Sequence, residues 1–205
     1  MFEKDGEIMP QYSASIITHS FWFTEFSQYL TLLEQGLSQQ DIREMALEEN
    51  YFQQQSTARA KDMERTLERR VNVLDHDYLE LFPALDLDNQ KLINLLSVLK
   101  LNRLFDEFVY EVYRNELLLG DERLHGYEIE TFFSQKQSVN NQVAGWKEQT
   151  IRRLTGTFKT FLREANLLSA QEEYDLVKRP LLDIRFEMLL RSEGDLRQLA
   201  SFLGR

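Results

Sequence analysis

The chain of 205 residues contains no cysteine. Disulfide bridges, thiolate metal sites and cysteine redox chemistry are therefore excluded, and the composition favours a cytoplasmic protein. The longest strongly apolar run, residues 92–99, is far shorter than the roughly 20 residues that a membrane-spanning helix needs. The acidic N-terminus lacks the basic and apolar regions of a signal peptide. We therefore expect neither a membrane span nor contact with a membrane.

The chain also has few residues that break helices, with only three prolines and eight glycines. Between them, apolar residues recur with helical period, and no run of alternating β-branched residues extends beyond a few positions. The sequence predicts an all-α fold, a compact multi-helix globular protein. We expect a flexible tail at residues 1–11 and a single helical domain at residues 12–205. A loop at residues 136–145 is the best place for a subdivision.

Several helix starts can be predicted from capping residues. Ser20 is expected to cap a first helix that ends at Gly36, and Ser38 with Asp41 resembles a capping box for a second helix. Ser56 is expected to cap a third. Further helices are expected at residues 77–83, 89–101, 103–118, 127–136, 146–165, 181–191 and 195–203, with another capping box at Ser169 and Glu172.

The sequence offers few candidates for catalysis. His19, His76 and His125 are far apart and lack metal-site spacing, so each is interpreted as structural. Asp75 and Asp77 flank His76, but an acidic helix N-terminus explains them better than a metal site does. Walker, GxGxxG and GxSxG motifs are all missing. We expect no catalytic residue, no metal ligand, no cofactor and no small-molecule substrate.

Positive charge is concentrated in residues 146–165, which hold five basic and two acidic residues in a chain of net charge −10. Helical periodicity places the apolar residues of this segment on one face. Arg152, Lys159 and Arg163 then form a basic stripe on the opposite face. Gly156 lies within this stripe, where glycine costs a helix about 1 kcal/mol relative to alanine.

The basic stripe allows more than one interpretation. Gly156 among several threonines would let a phosphate backbone or another helix approach closely, and threonine hydroxyls can bond phosphate oxygens. Alternatively, the charges only solvate a surface helix or pair with acids on a neighbouring helix. The residues by themselves favour nucleic-acid contact and protein contact equally.

A second basic surface is predicted on the helix that follows Ser56, from Arg59, Lys61, Arg65 and Arg69. This helix and the one at residues 39–49 form a loose helix-turn-helix pattern, in which the second helix would approach nucleic acid. The connection is longer than the usual three- to four-residue turn. Acidic residues are gathered elsewhere, with five in residues 75–88. This separation of charge favours a basic binding face despite the pI of about 4.9.

Four blocks of the chain, in order, resemble one known family: YSASIITHSFWFTEF, GLSQQDIREMALEENYFQQQSTARAKDMERTLERRV, SVLKLNRLFDEFVYEVY and GWKEQTIRRLTGTFKTFLREANLL. Over about residues 12–204 the chain is similar to the BrxA family, a small core component of BREX bacteriophage-exclusion systems. The resemblance implies a helical, non-catalytic protein that binds DNA, with a NusB-like arrangement. It also implies partners among the other BREX components, which include a DNA methyltransferase, an ATPase and a phosphatase-like protein.

The resemblance assigns no individual DNA contact, so the candidate residues come from the charge pattern alone. We expect contacts to duplex phosphates with little sequence readout, because Asn and Gln are not grouped with the basic stripe. The candidate nucleic-acid contacts are Arg59, Lys61, Arg65, Arg69, Arg152, Gly156, Lys159 and Arg163. The alternatives are an adaptor that docks other BREX components and, by analogy with NusB, an RNA-binding protein.

Overall fold

A computed structural model describes residues 11–205, so the predicted tail at 1–11 lies outside the described residues except for Gln11. The helices are α1 (Phe23–Glu34), α2 (Gln39–Glu48), α3 (Thr57–Asn72), α4 (His76–Leu81), α5 (Leu87–Leu101), α6 (Arg103–Phe108), α7 (Arg114–Leu119), α8 (Gly126–Val139), α9 (Asn141–Ala144), α10 (Glu148–Glu164), α11 (Ile184–Ser192) and α12 (Leu196–Leu203). Short 3-10 helices cover Ser15–Thr18 and Phe82–Ala84, and a π-helical segment, Val109–Tyr113, joins α6 to α7. The strands are β1 (Arg123–Leu124), β2 (Leu168–Ala170) and β3 (Asp175–Val177). The predicted helical fold is confirmed, with a small sheet added to it.

The caps of α2 and α3 form as the sequence predicts. The backbone N–H of Asp41 donates to Ser38 Oγ at 3.2 Å, and the N–H of Ser38 donates to Asp41 Oδ2 at 2.9 Å. Ser56 Oγ accepts from the N–H of Arg59 at 3.3 Å and caps α3. These bonds satisfy backbone donors that have no partner inside the helix.

The predicted start of α1 is wrong, whereas its predicted end is correct. The residue that precedes α1 is Trp22, in a left-handed conformation with φ of 50°, and Ser20 makes no cap. Instead, the carbonyl of Ser20 accepts a hydrogen bond from a buried arginine, so Ser20 belongs to the segment before the helix. Gly36, with φ of +89°, follows the last turn and provides the left-handed residue that ends many helices.

The predicted capping box at Ser169 and Glu172 is also wrong, because these residues lie in and after a strand. β2 pairs antiparallel with β3, and β1 pairs with the other edge of β3, which gives the order β1-β3-β2. Leu168 and Val177 face each other across β2 and β3, and both are buried. Strands of two or three residues are too short to show a period of two in the sequence.

The segment at 136–145 is mostly helical, contrary to the loop that we predicted. α8 continues to Val139, and the side chain of Asn140 caps α9 by accepting from the N–H of Val143 at 3.0 Å. Val143 is fully buried. The division of the chain into domains stays a prediction.

The core contains a group of aromatic rings on which α10 packs. Phe158 of α10 stacks on Phe105 with ring centroids 4.6 Å apart, and Phe161 contacts Phe21 edge to face at 5.7 Å. Leu154 and Leu162 are buried beside them, as the helical period predicts. Within residues 11–205, no helix is both long and apolar enough to cross a bilayer.

Candidate nucleic-acid interface

The predicted basic surface on α3 is exposed. Lys61, Arg65 and Arg69 follow one another at four-residue intervals, so they form a row along one helix face. Arg59 is exposed in the first turn of the same helix, outside this row. The apolar residues of α3, among them Leu67, point into the core. Within residues 11–205, no carboxylate lies within 4.0 Å of any of these four basic groups. Their charges are therefore available to a ligand.

The basic stripe of α10 is largely used inside the protein. Lys159 Nζ lies 2.6 Å from Asp175 Oδ2, and Arg163 Nη2 lies 2.6 Å from Asp175 Oδ1. Asp175 belongs to β3, and its side chain is only 1% exposed. Because an unpaired buried carboxylate is costly, Lys159 and Arg163 stabilise the contact between α10 and the sheet. Arg152 pairs with Glu148 of its own helix at 2.9 Å, and both side chains are exposed.

Two sequence interpretations of this stripe therefore differ in outcome. The interpretation in which Lys159 and Arg163 only solvate a surface helix does not hold, because both contact the buried Asp175 of β3. The alternative, pairing with an acid of a neighbouring element, describes both residues, although the acid lies on a strand and not on a helix. Arg152 keeps an exposed position at the start of α10. Nucleic-acid contact by these three residues stays a prediction.

Gly156 lines an open groove of about 300 Å³. A Cβ atom added to this glycine would meet no atom within 4 Å, so no protein neighbour requires glycine here. Arg153, Thr157 and Thr160 lie on the same face of α10 as Gly156, at helical spacing. The groove is lined by Ile17, His19, Ser20, Arg153, Gly156, Thr157, Thr160, Phe161 and Glu164.

A second, smaller cleft connects this groove to the basic row of α3, because His19 lines both. The cleft holds about 40 Å³ and is lined by Ser15, Ile16, His19, Thr66, Arg69, Arg70, Val98, Leu101 and Asn102. Arg69 of α3 and Arg153 of α10 thus lie on the two sides of one short segment, residues 15–20. The basic row of α3 and the groove beside Gly156 on α10 therefore meet at this segment.

Buried hydrogen bonds hold the segment in place at both ends. At its start, the Tyr12 hydroxyl donates to Glu107 Oε2 at 2.7 Å. At its end, Arg70 donates to the carbonyl oxygens of Phe21 at 2.5 Å and Ser20 at 2.9 Å. Asn94 Nδ2 donates to the same oxygen of Phe21 at 2.9 Å. Because these donors are buried, the bonds fix residues 15–20 between α3 and α10.

The electrostatics of the segment are set by burial and by the neighbouring arginines. Burial lowers the pKa of Arg70 to about 9, which leaves the guanidinium positively charged at neutral pH. Burial also lowers the pKa of His19, an effect that Arg70 and Arg69 increase and Asp62 opposes. His19 is therefore neutral at pH 7 and can accept or donate a hydrogen bond. Glu164 is the one carboxylate in the described lining of the larger groove.

Sequence reasoning missed Arg153 and His19 as candidates. The spacing of Arg153, Gly156, Thr157 and Thr160 at i, i+3, i+4 and i+7 already places them on one face, which was the available signal. No such signal exists for His19, since only the tertiary packing of residues 15–20 against α10 brings it there.

Comparison with known proteins assigns the chain to a family. The family model described as BrxA matches residues 10–194. The BREX protein BrxA of Bacillus cereus (strain H3081.97) is 30% identical over 184 residues, which are 90% of this chain and 92% of that protein. The chain belongs to the BrxA family.

A solved structure supports the fold of this BrxA-family chain. The crystal structure of an uncharacterized protein from Magnetospirillum magneticum matches it with a TM-score of 0.76 and 17% sequence identity. The match covers 96% of this chain and 100% of that one. At this identity the likeness shows the fold alone.

In the BrxA-family chain, α2 and α3 pack together, but residues 49–56 separate them, so the helix-turn-helix interpretation stays a prediction.

Proposed function

We propose that the chain is a DNA-binding component of a BREX phage-defence system that contacts duplex phosphates. The observation that carries this proposal is the row of Lys61, Arg65 and Arg69, with Arg59 in the first turn of the same helix. All four side chains are exposed and have no carboxylate partner within residues 11–205. Unpaired arginine and lysine side chains in a row are what a phosphate backbone requires. Membership of the BrxA family supports the role in defence.

The groove beside Gly156 extends this surface onto α10. A glycine that no neighbouring atom requires, next to an arginine and two threonines, allows the sugar-phosphate backbone to approach the helix closely. Arg153 would provide the charge, and the hydroxyls of Thr157 and Thr160 would bond phosphate oxygens. Such contacts position DNA without reading its sequence, so we expect little preference for one duplex over another.

The affinity should be modest because the chain as a whole is acidic. A net charge of −10 repels nucleic acid at long range, and Glu164 does so within the groove. The protein acts without catalytic turnover and in the cytoplasm, in this proposal, as a subunit that other BREX components join. The missing nucleotide-binding and hydrolase motifs support the lack of turnover.

The experiment is a fluorescence-anisotropy titration of the purified protein with a duplex DNA, a single strand and an RNA of matched length, at several salt concentrations. With about three to five phosphates neutralised, log K for the duplex should fall against log salt with a slope of about −3 to −5. Two unrelated duplexes should bind equally. An affinity that does not change with salt would refute the electrostatic contacts, and tighter binding of the RNA would favour the NusB-like alternative.

A further inference from the structure

A groove of about 700 Å³ lies away from the basic row, between α1 and α4. α1 lines it with Ser27, Leu30, Thr31, Leu33 and Glu34, and α4 lines it with His76, Leu79 and Glu80. The 3-10 turn adds Phe82 and Pro83, and α5 adds Gln90. Ser27, Leu30, Thr31 and Glu34 follow the i, i+3, i+4, i+7 spacing of one helix face. Two helices thus present their faces to a common groove.

The floor of this groove is apolar and firmly built. Leu30 and Phe82 are buried in it, and the ring of Phe82 packs edge to face on Phe26 of α1 with centroids 5.8 Å apart. Leu33 and Leu79 are partly buried against the core and complete the apolar surface. The groove therefore offers apolar area on a rigid base, as a site for an amphipathic helix requires.

The rim of the groove is acidic. Glu34 and Glu80 lie on opposite helices, α1 and α4, and among residues 11–205 no lysine or arginine lines the groove. Glu80 pairs with His76 at 3.1 Å, and the two side chains are 68% and 77% exposed. α4 also lies in the segment 75–88, which has five acidic residues and no lysine or arginine. Because the rim charges point into water and do not converge on a buried point, they suit a long partner better than a small molecule.

A second apolar surface continues on the other side of α4. Glu80 also lines a groove of about 540 Å³ between α4 and α11, together with Asp77 and Met188. Met188 and Ile184 of α11 are among the exposed large apolar residues, four positions apart on one helix face. The basic residue of this groove, Arg185, is already paired with Asp183 at 2.7 Å. The acidic and apolar character therefore extends beyond one groove.

We propose that the groove between α1 and α4 docks an amphipathic helix of another protein, with apolar residues on one side and lysine or arginine along its edges. Charge complementarity selects this partner, because basic residues at the edges of the helix would meet Glu34 and Glu80 while its apolar side covers Leu33, Leu79 and Phe82. This surface is separate from the basic row of α3 and does not depend on DNA binding.

The test uses a designed, fluorescein-labelled helical peptide with leucine at i, i+3, i+4 and i+7 and lysine on both flanks. We expect it to bind the full chain with a Kd of about 1–100 µM, which is about 5–8 kcal/mol of binding free energy. A peptide with glutamate in place of lysine, and one with the same residues in scrambled order, should not bind measurably. Failure of the basic peptide to bind at these concentrations would overturn the proposal.

Two variants locate the binding on the protein. The double variant Glu34→Lys, Glu80→Lys reverses exposed rim charges, so it should fold normally and weaken peptide binding by about tenfold or more. Ser27→Phe fills the groove without changing any charge, and it should weaken binding as well. The matched control, Glu172→Lys with Glu173→Lys, makes the same change of charge at exposed positions outside α1, α3 and α4, and it should bind the peptide as the wild type does.

The other outcomes are equally decisive. If the rim and Ser27 variants bind the peptide as tightly as the wild type, the groove is not the site and the proposal fails. If sedimentation shows a wild-type dimer that Ser27→Phe dissociates, the occupant is a second copy of this chain, which also contradicts the proposal. Neither result depends on nucleic acid, so both are distinct from a failure of DNA binding.

Discussion

Gly156 is a residue that lowers the stability of its helix and that we expect to favour DNA binding. Its φ does not require glycine, and a Cβ there would lie in open space, so the usual structural reasons for glycine in a helix do not apply. A glycine in a helix interior costs about 1 kcal/mol relative to alanine. Close approach of a ligand to the helix backbone would explain why this cost is retained.

Gly156→Ala should therefore stabilise the protein and weaken its binding to DNA. We expect the free energy of unfolding to rise by about 0.5–1 kcal/mol in urea denaturation. Affinity for duplex DNA should fall about two- to tenfold, as for the loss of one hydrogen bond. Gly126→Ala is the control, since Gly126 also has open space around its Cβ but opens α8. Unchanged DNA affinity in Gly156→Ala would remove α10 from the interface.

Glu116 is a buried carboxyl whose protonation should affect stability. It is only 4% exposed, and burial together with the neighbouring Glu128 raises its pKa to about 7. The folded protein then holds a proton at this site that the unfolded chain, with an ordinary carboxyl pKa of about 4.5, releases. The linked stability is fully present below pH 4.5 and is lost as pH rises to 7.

Glu116→Gln should remove the loss of stability that occurs as pH rises to 7, because the amide stays neutral at every pH. We expect the melting temperature of the variant to exceed that of the wild type at pH 8, with a smaller difference at pH 5. Glu130→Gln, at an exposed position of α8, makes the same change of charge and should leave the pH dependence as it is. Parallel melting curves for wild type and Glu116→Gln between pH 5 and 8 would argue against a raised pKa.

At the scale of elements, α10 and the small sheet form a unit held by one buried carboxylate. Asp175 on β3 forms ion pairs with Lys159 and Arg163, which lie one helical turn apart on α10. Removing both cations would leave a charge buried without a partner, which typically costs 3–5 kcal/mol. The two basic residues thus have a structural role that their position in a charged stripe does not reveal.

The double variant Lys159→Glu, Arg163→Glu should lower the free energy of unfolding by about 3–5 kcal/mol or prevent folding. Arg152→Glu, on the same helix but exposed and paired with the exposed Glu148, should change the free energy of unfolding by less than about 0.5 kcal/mol. Urea denaturation followed by circular dichroism measures both. If both variants lower the free energy of unfolding by the same small amount, the buried Asp175 carboxylate does not need Lys159 and Arg163 for stability. DNA titrations of the double variant are meaningful only if it folds.

Structural features made by residues close together in the sequence could be predicted, whereas features made by residues far apart in the sequence could not. The caps at Ser38 and Ser56 depend on residues three positions apart, so the sequence contains the whole interaction. The hairpin of β2 and β3 is stabilised by long-range packing of short strands, and its sequence imitates a capping box at Ser169. The ion pairs of Asp175 likewise join residues that only the folded chain brings together.

At the scale of the whole molecule, the separation of charge follows from the sequence, but the assembly of the candidate interface does not. The basic row of α3 could be predicted because helical period alone sets it. Its connection to the groove of α10 depends on residues 15–20, which Arg70 and Asn94 hold through backbone carbonyls. The NusB-like arrangement and the helix-turn-helix remain predictions.

If duplex DNA lies on the basic row of α3, charge reversal there should weaken binding more than charge reversal elsewhere on the surface. The most direct test compares two variants in salt-dependent DNA titrations: Arg65→Glu with Arg69→Glu, and the control Lys178→Glu with Arg205→Glu, at exposed positions outside α3 and α10. Each reversal changes the charge by two units, so both variants go from −10 to −14.

Because both variants have the same net charge, a difference in their DNA affinity must come from the loss of local contacts. Charges more than about 10 Å from the DNA are largely screened at 0.1 M salt, so the control reversals should have little effect. We expect the α3 variant to bind duplex DNA about tenfold or more weakly, with a salt slope shallower by about two, and the control to retain wild-type affinity and slope. Equal losses in both variants, or an α3 variant that binds as the wild type does, would contradict this expectation.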